Sequence, residues 1–144
     1  MINLLPGIQS SASALEAERI RMEVVSQNIA NANVSNYENG KPYQRQVVHF
    51  ATVLGAQTAG GLGGATPEAI QVARIEKDTR PPRLIYNPND PAHDANGWVA
   101  MPDINVHEEM VDLIAASRSF EANLAVVKTS RNMALQTLAI GKRS

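Results

Sequence analysis

An apolar residue recurs every seven positions near the start of the chain, and a related stripe occupies its end; this pairing constrains the fold more than any other feature. Ile8, Leu15, Met22 and Ile29 mark the first stripe, with Ala12 and Val25 between them, and residues 8–33 contain no glycine or proline. A seven-residue apolar period is the coiled-coil form of a helical stripe, so this segment is expected to be a helix. Pro6-Gly7 punctuates its start, and Ser10 or Ser11 is placed to cap it.

The second stripe runs through Val106, Met110, Leu113, Ser117, Phe120, Leu124, Val127, Arg131, Ala134 and Leu138, and only Ser117 and Arg131 interrupt it. Asp103 or Asn105 is the expected cap, Glu108 and Glu109 suit the first turn, and Gly141-Lys142-Arg143 suits the last. A helix of about 35 residues would be on the order of 50 Å long. Ala115, Ala116, Ala122, Val126, Met133 and Ile140 lie off this stripe. The apolar surface is therefore wider than one partner helix needs, which implies neighbours.

Residues 35–103 have a different composition. They hold all but one of the eight prolines, and Asn39-Gly40 and Asn96-Gly97 are turn signals. Tyr43 to Val53, Ala69 to Lys77, Arg83 to Tyr86 and Gly97 to Met101 read as strands. Between the first two, residues 55–64 carry five glycines and are expected to form a mobile loop. The expected fold is mainly α with a small β-rich insert. A discontinuous helical domain of residues 1–34 and 104–144 has its long terminal helices packed as an antiparallel coiled coil, and residues 35–103 supply short strands and hairpins.

Composition excludes several functions. Thirteen Lys and Arg against 14 Asp and Glu leave a net charge of −1, so no global field draws the chain to nucleic acid or an anionic membrane. Without cysteine there are no disulfides, thiolate chemistry or Cys-based zinc sites. No 18-residue apolar run is present, so membrane insertion is not expected, and the start lacks the basic and apolar regions of a cleavable secretory signal. His93 with Asp90 and Asp94, or Asp103 with His107, lacks metal-ligand spacing; Gly61-Leu62-Gly63-Gly64 lacks the Lys-Ser/Thr of a phosphate loop; no Gly-x-Ser-x-Gly is present. No cofactor, metal or catalytic residue is expected. Arg80-Pro81-Pro82-Arg83 reads as a rigid extended connector.

The junction Ser26-Gln27-Asn28-Ile29-Ala30-Asn31-Ala32-Asn33-Val34-Ser35-Asn36-Tyr37 ends the first stripe in asparagines, which tolerate left-handed backbone and satisfy orphan helix-end groups. A capped helix end is the plain reading of such a cluster. The segment also resembles the Asn-Leu-Ala-Asn signature of flagellar axial proteins, the rod, hook and hook-associated families. A longer likeness to the C-terminal helix of that superfamily runs from Asn105-Val106 through Glu109-Met110-Val111 to Ala116-Ser117-Arg118-Ser119-Phe120-Glu121-Ala122-Asn123-Leu124. Its wording is most similar to the short proximal rod subunits, and the passage from Asn87-Pro88 to Pro102 resembles theirs more weakly. Asn36 stands where many relatives carry glycine, and asparagine also enters the left-handed region.

The resemblance implies a structural subunit that transmits torque, exported through the flagellar type III apparatus and assembled in the periplasm. It implies terminal helices in an inner layer lining the export channel and a middle region in an outer layer. Implied partners are proximal and distal rod proteins, the adaptor at the membrane-embedded base, and copies of the chain itself. The assembly interface expected on this basis comprises Ile8, Leu15, Met22, Val25, Asn28, Ile29, Asn31, Asn33, Met110, Leu113, Phe120, Asn123, Leu124, Val127 and Leu138. Asn28, Asn31, Asn33 and Asn123 are the candidate polar locks, and Arg118 and Glu121 are spaced to pair with each other. By periodicity alone the stripes fit an intramolecular hairpin core equally well. A soluble helical adaptor or export chaperone that grips a partner's amphipathic helix is the alternative function; an enzyme built on the middle region is a third, lacking any catalytic constellation.

Overall fold

The computed structural model describes residues 5–35, 40–54 and 68–141. Two helices, α1 (Leu5–Ala30) and α2 (Val106–Gly141), enclose four strands in sequence: β1 (Gln46–Leu54), β2 (Glu68–Lys77), β3 (Arg83–Tyr86) and β4 (Trp98–Met101). The chain is mainly helical with a β insert, as the two stripes and the Pro/Gly-rich middle imply. The glycine-rich stretch 55–64 lies outside the described residues, as does Asn36-Tyr37.

α1 begins earlier than its punctuation suggests. Pro6 falls inside the first turn, where its missing N–H would have had no partner. Ser10 and Ser11 are therefore interior residues rather than caps, and the Ser13 hydroxyl donates back to the Ser10 carbonyl at 2.8 Å. The other end stops where the asparagines begin. Asn31 donates from both its backbone and its side chain to the Gln27 carbonyl, at 3.0 and 2.8 Å, and the chain leaves through a turn at residues 31–33.

α2 starts on Asn105, which settles the choice of cap. Its Oδ1 accepts the His107 N–H at 3.1 Å, while its side-chain amide donates to Glu108 at 3.0 Å. The inward face of α2 differs from the expected stripe in one of its two lines. Leu113, Ser117, Phe120, Leu124, Val127 and Ala134 are half-buried, but Met110 and Arg131 are exposed, and Glu109, Ala116, Asn123 and Ser130 form a further inward line beside them. Ala116 is 0 % exposed and Met110 49 %. The shift moves Arg131 out to water and brings in a line of small and polar side chains, which lets α1 approach closely.

α1 is covered on two sides, by α2 and by the β1–β2 hairpin. This explains why Ala17, Val24 and Val25 are its most buried apolar residues, whereas Ile8, Leu15, Met22 and Ile29 are only half-buried and Ala12 is exposed. Ala14 and Ala17 lie against Phe50, Ala51 and Ile70 of the hairpin, and the Ile70 N–H donates to the Ser13 hydroxyl at 3.2 Å. β1 and β2 pair antiparallel from Gln46↔Lys77 to Leu54↔Glu68, with a bulge after His49 that leaves Ala73 extra on β2. β3 and β4 pair antiparallel from Arg83↔Met101 to Tyr86↔Trp98. The backbone of this second hairpin makes no close approach to another described helix or strand.

Candidate functional site

Where the two helices meet the middle region, a run of polar side chains is buried. Asn28, in the last turn of α1, and Glu109, in the first turn of α2, are each 1 % exposed. Burying a carboxylate is costly unless it is paired and hydrogen-bonded, so its partners define the site. The Arg45 guanidinium reaches Glu109 Oε1 through Nε and Nη2, both at 2.6 Å. Asn28 Nδ2 donates to Glu109 Oε2 at 3.0 Å.

Asn28 is saturated. Its second Nδ2 proton goes to the Gln46 carbonyl at 2.9 Å, and its Oδ1 accepts the Gln46 N–H at 2.9 Å and the Tyr43 hydroxyl at 3.0 Å. A side-chain amide has two donors and two lone pairs, and all four are used. The paired bonds to Gln46 copy the reciprocal exchange between strands, so α1 holds the first residue of β1 as a neighbouring strand would. This is why β1 begins at Gln46 and not at Tyr43: Tyr43 to Arg45 turn inward, with the Tyr43 N–H bonded to the Val34 carbonyl and the Asp78 N–H to that of Arg45.

From Arg45 the charges continue outward. Arg45 lies 3.8 Å from Asp78 Oδ2, Asp78 accepts the Arg80 N–H at 3.1 Å and Arg80 Nε at 2.8 Å, and Arg80 reaches Asp103 at 3.3 Å. The backbone N–H and then the guanidinium of Arg80 hold the Asp78 carboxyl below its ordinary range, and the same bond raises Arg80. The network joins α1, the approach to β1, the end of β2 and the approach to α2. It borders a cleft of about 530 Å³ whose lining includes Lys41, Pro42, Lys77, Pro82 and Pro102. Higher on the helices, Arg21 reaches Asp112 at 3.6 Å.

Of the expected locks, Asn28 alone sits at the centre. Asn31 is half-buried and serves the helix end, Asn33 is exposed, and Asn123 is half-buried on the inward line of α2. Val25 is buried; Ile8, Leu15, Met22, Ile29, Leu113, Phe120, Leu124 and Val127 are half-buried; Met110 and Leu138 are exposed. Arg118 and Glu121 are exposed and do not pair with each other.

Glu109, Arg45 and Tyr43 were not among the expected site residues. Glu109 fits a first-turn acid, a position where helix-end electrostatics alone account for a carboxylate. Its position seven residues before Ala116 and fourteen before Asn123 was the available signal. Arg45 carries none, because its partner is 64 residues away.

At the far end of α2 the cover runs out. Asn28 is 23 residues from Leu5, whereas Glu109 is 32 residues from Gly141. Counted from these two residues, the remaining length of α2 exceeds that of α1 by about 9 residues, on the order of 13 Å. Met133, Leu135, Leu138 and Ile140 are all large, apolar and exposed there. No described helix is long and apolar enough to cross a membrane.

Comparison with known proteins matches the two ends to separate families. Residues 8–37 match the family described as "Flagella basal body rod protein", and residues 95–140 match "Flagellar basal body rod FlgEFG protein C-terminal". Over whole chains, the "Flagellar basal-body rod protein FlgC" of Borreliella burgdorferi is 38 % identical, covering 96 % of this chain and 98 % of its own. The protein of the same description from Bacillus subtilis is 37 % identical, over 92 % and 94 % of the two chains. That of Salmonella typhimurium strain LT2 is 38 % identical, over 92 % and 93 %.

Proposed function

The chain belongs to the FlgC family of flagellar basal-body rod proteins, and from that premise we propose that its buried lock sets the base of a helix pair that packs into the proximal rod. It is a structural subunit of the rod and not an enzyme, and motility is the process it serves. The adaptor or chaperone alternative is not favoured. Other rod and basal-body proteins are its partners as a class; among them the reading names proximal and distal rod subunits, the adaptor at the membrane-embedded base, and copies of the chain.

The observation that carries this reading is the contrast along α2. Its base is fastened by a buried ion pair, while its upper part exposes Val126, Met133, Leu135, Leu138 and Ile140. A solitary folded chain rarely leaves so many large apolar side chains of one helix in water. A shaft must resist sliding, which many distributed contacts and a few polar locks provide. On this reading the two helices form an antiparallel coiled coil in the inner layer along the export channel and transmit torque, with the hairpins outside them. The opposed residue order of the Asn28–Glu109 and Arg21–Asp112 contacts supports the antiparallel part. Assembly in the periplasm would follow export through the flagellar apparatus.

Deletion of the gene tests the assignment: motility is lost and later rod proteins fail to assemble. A motile deletion strain with complete filaments would overturn it.

A further inference from the structure

The β3–β4 hairpin carries a face that the helix reading does not use. Tyr86 pairs with Trp98 and Leu84 with Ala100, so all four side chains lie on one face, with Ile85 and the buried Val99 on the other. Leu84 and Tyr86 are 62 % exposed and Trp98 42 %, and the two rings meet edge to face at 5.5 Å. The chain has six aromatic residues, and two of them, including its single Trp, are placed here. Trp and Tyr dominate the energetics of protein interfaces. A two-stranded hairpin is also marginal by itself. Its end loop adds negative charge beside the rings, for Asp94 Oδ1 accepts the N–H groups of Asn96 and Trp98 at 2.9 Å each.

A complementary surface exists on the same chain. The face of α2 opposite Ala116 carries Val111, Ile114, Ala115, Arg118, Ala122 and Ala125, all exposed. α2 contacts no described element besides α1, so no described helix or strand covers that face. The alanines leave shallow ground between Ile114 and Val126 for large rings, and Arg118 stands at the middle without an ion-pair partner among the described residues. An arginine over a Trp or Tyr face, beside a carboxylate, joins cation–π attraction to an ion pair.

We propose that the outer face of the β3–β4 hairpin docks on the outer face of α2 around Arg118 in a second copy of the chain. The two surfaces differ, so the contact is head-to-tail and propagates from copy to copy along a helical path instead of closing a symmetric dimer. The inference rests on the rod-subunit reading but concerns a surface that the reading leaves unassigned.

The absence of cysteine makes the test clean. Two separately tagged chains, Leu84→Cys and Ala122→Cys, each changed at one exposed position, are co-expressed in a strain lacking the native gene. Isolated basal bodies are treated with a short bismaleimide. The expected product is a heterodimer of the two tagged chains, above a control in which Thr79→Cys replaces Leu84→Cys, and Arg118→Glu in the Ala122→Cys chain reduces it to the control level. Basal bodies that contain both chains but yield no heterodimer, or only adducts with other proteins, overturn the docking while leaving the rod assignment intact. Should the cysteine chains fail to assemble, purified native chain at rising concentration decides through its single Trp: a blue shift that Arg118→Glu abolishes supports the contact, and emission that stays constant opposes it.

Discussion

Arg45 and Glu109, 64 residues apart in sequence, meet through two nitrogens on one carboxylate oxygen at 2.6 Å, with Glu109 almost wholly enclosed. A pair buried in this way adds less to stability than its Coulomb energy suggests, because both ions were desolvated to form it. Its main effect is on specificity. Only one arrangement of α1, the segment before β1 and the start of α2 satisfies Glu109, Arg45 and Asn28 together.

Removing one partner is therefore much worse than never having had the pair. Glu109→Ala leaves Arg45 Nε and Nη2 and one Asn28 proton without their buried acceptor, and a loss of about 3–5 kcal/mol is expected. Arg45, which is partly open to solvent, should cost toward the lower end of that range when changed to Ala. Urea unfolding of the full chain, followed by far-UV circular dichroism, measures both.

Asn28→Asp preserves shape and inverts function. An aspartate would aim an anion at Glu109 Oε2 and at the Gln46 carbonyl, both of which now accept protons from Asn28. A destabilisation of about 3 kcal/mol is expected at neutral pH, where the new carboxylate cannot donate. Burial beside Glu109 raises the folded pKa of the introduced acid. The penalty should thus shrink as pH falls toward that value, and a penalty constant from pH 7 to pH 5 would count against this geometry.

Two glycines with positive φ make an internal comparison. Gly97 has φ 80° and a built Cβ would lie 3.0 Å from the Tyr86 ring and 3.3 Å from Pro88, whereas Gly40 has φ 74° and open space around it. Gly40→Ala should cost about 1 kcal/mol from backbone strain alone. Gly97→Ala should cost more and also disturb the Tyr86–Trp98 contact, which Trp fluorescence and thermal melting report together.

The hairpin loop should loosen in acid. The N–H groups of Trp98 and Asn96 hold the Asp94 carboxyl below its ordinary value. A carboxyl with a lowered folded pKa contributes stability that is complete above the unfolded pKa and disappears as pH falls through the folded one. Trp98 emission should therefore change in the range below pH 4, and Asp94→Asn, which cannot titrate, should remove that step.

Leu138→Asp separates folding from assembly. The side chain is exposed, so stability of the isolated chain should change by no more than about 0.5 kcal/mol. Motility should be lost nonetheless, as scored by swarming of a strain carrying the variant.

The seven-residue periods, the prolines and the turn dipeptides determine without further help that helices stand at the two ends and short strands between. The four strands lie within a few residues of their expected places, since β-branched runs bounded by Gly, Pro and Asn are local signals. The wording around Asn28 singles it out as a candidate lock between subunits, but its bonds within the chain, to Gln46, Tyr43 and Glu109, are not legible there. Tertiary structure alone decided which line of each helix turned inward. Period fixes the spacing of a stripe, but its rotation by one residue depends on what the other elements supply. Here Arg45 and Asn28 make Glu109 an inward residue while Met110 faces out, and the β1–β2 hairpin draws Ala17 and Val24 under cover. A charge is buried only where its partners converge, and partners separated by 64 and 81 residues leave no trace in any local window.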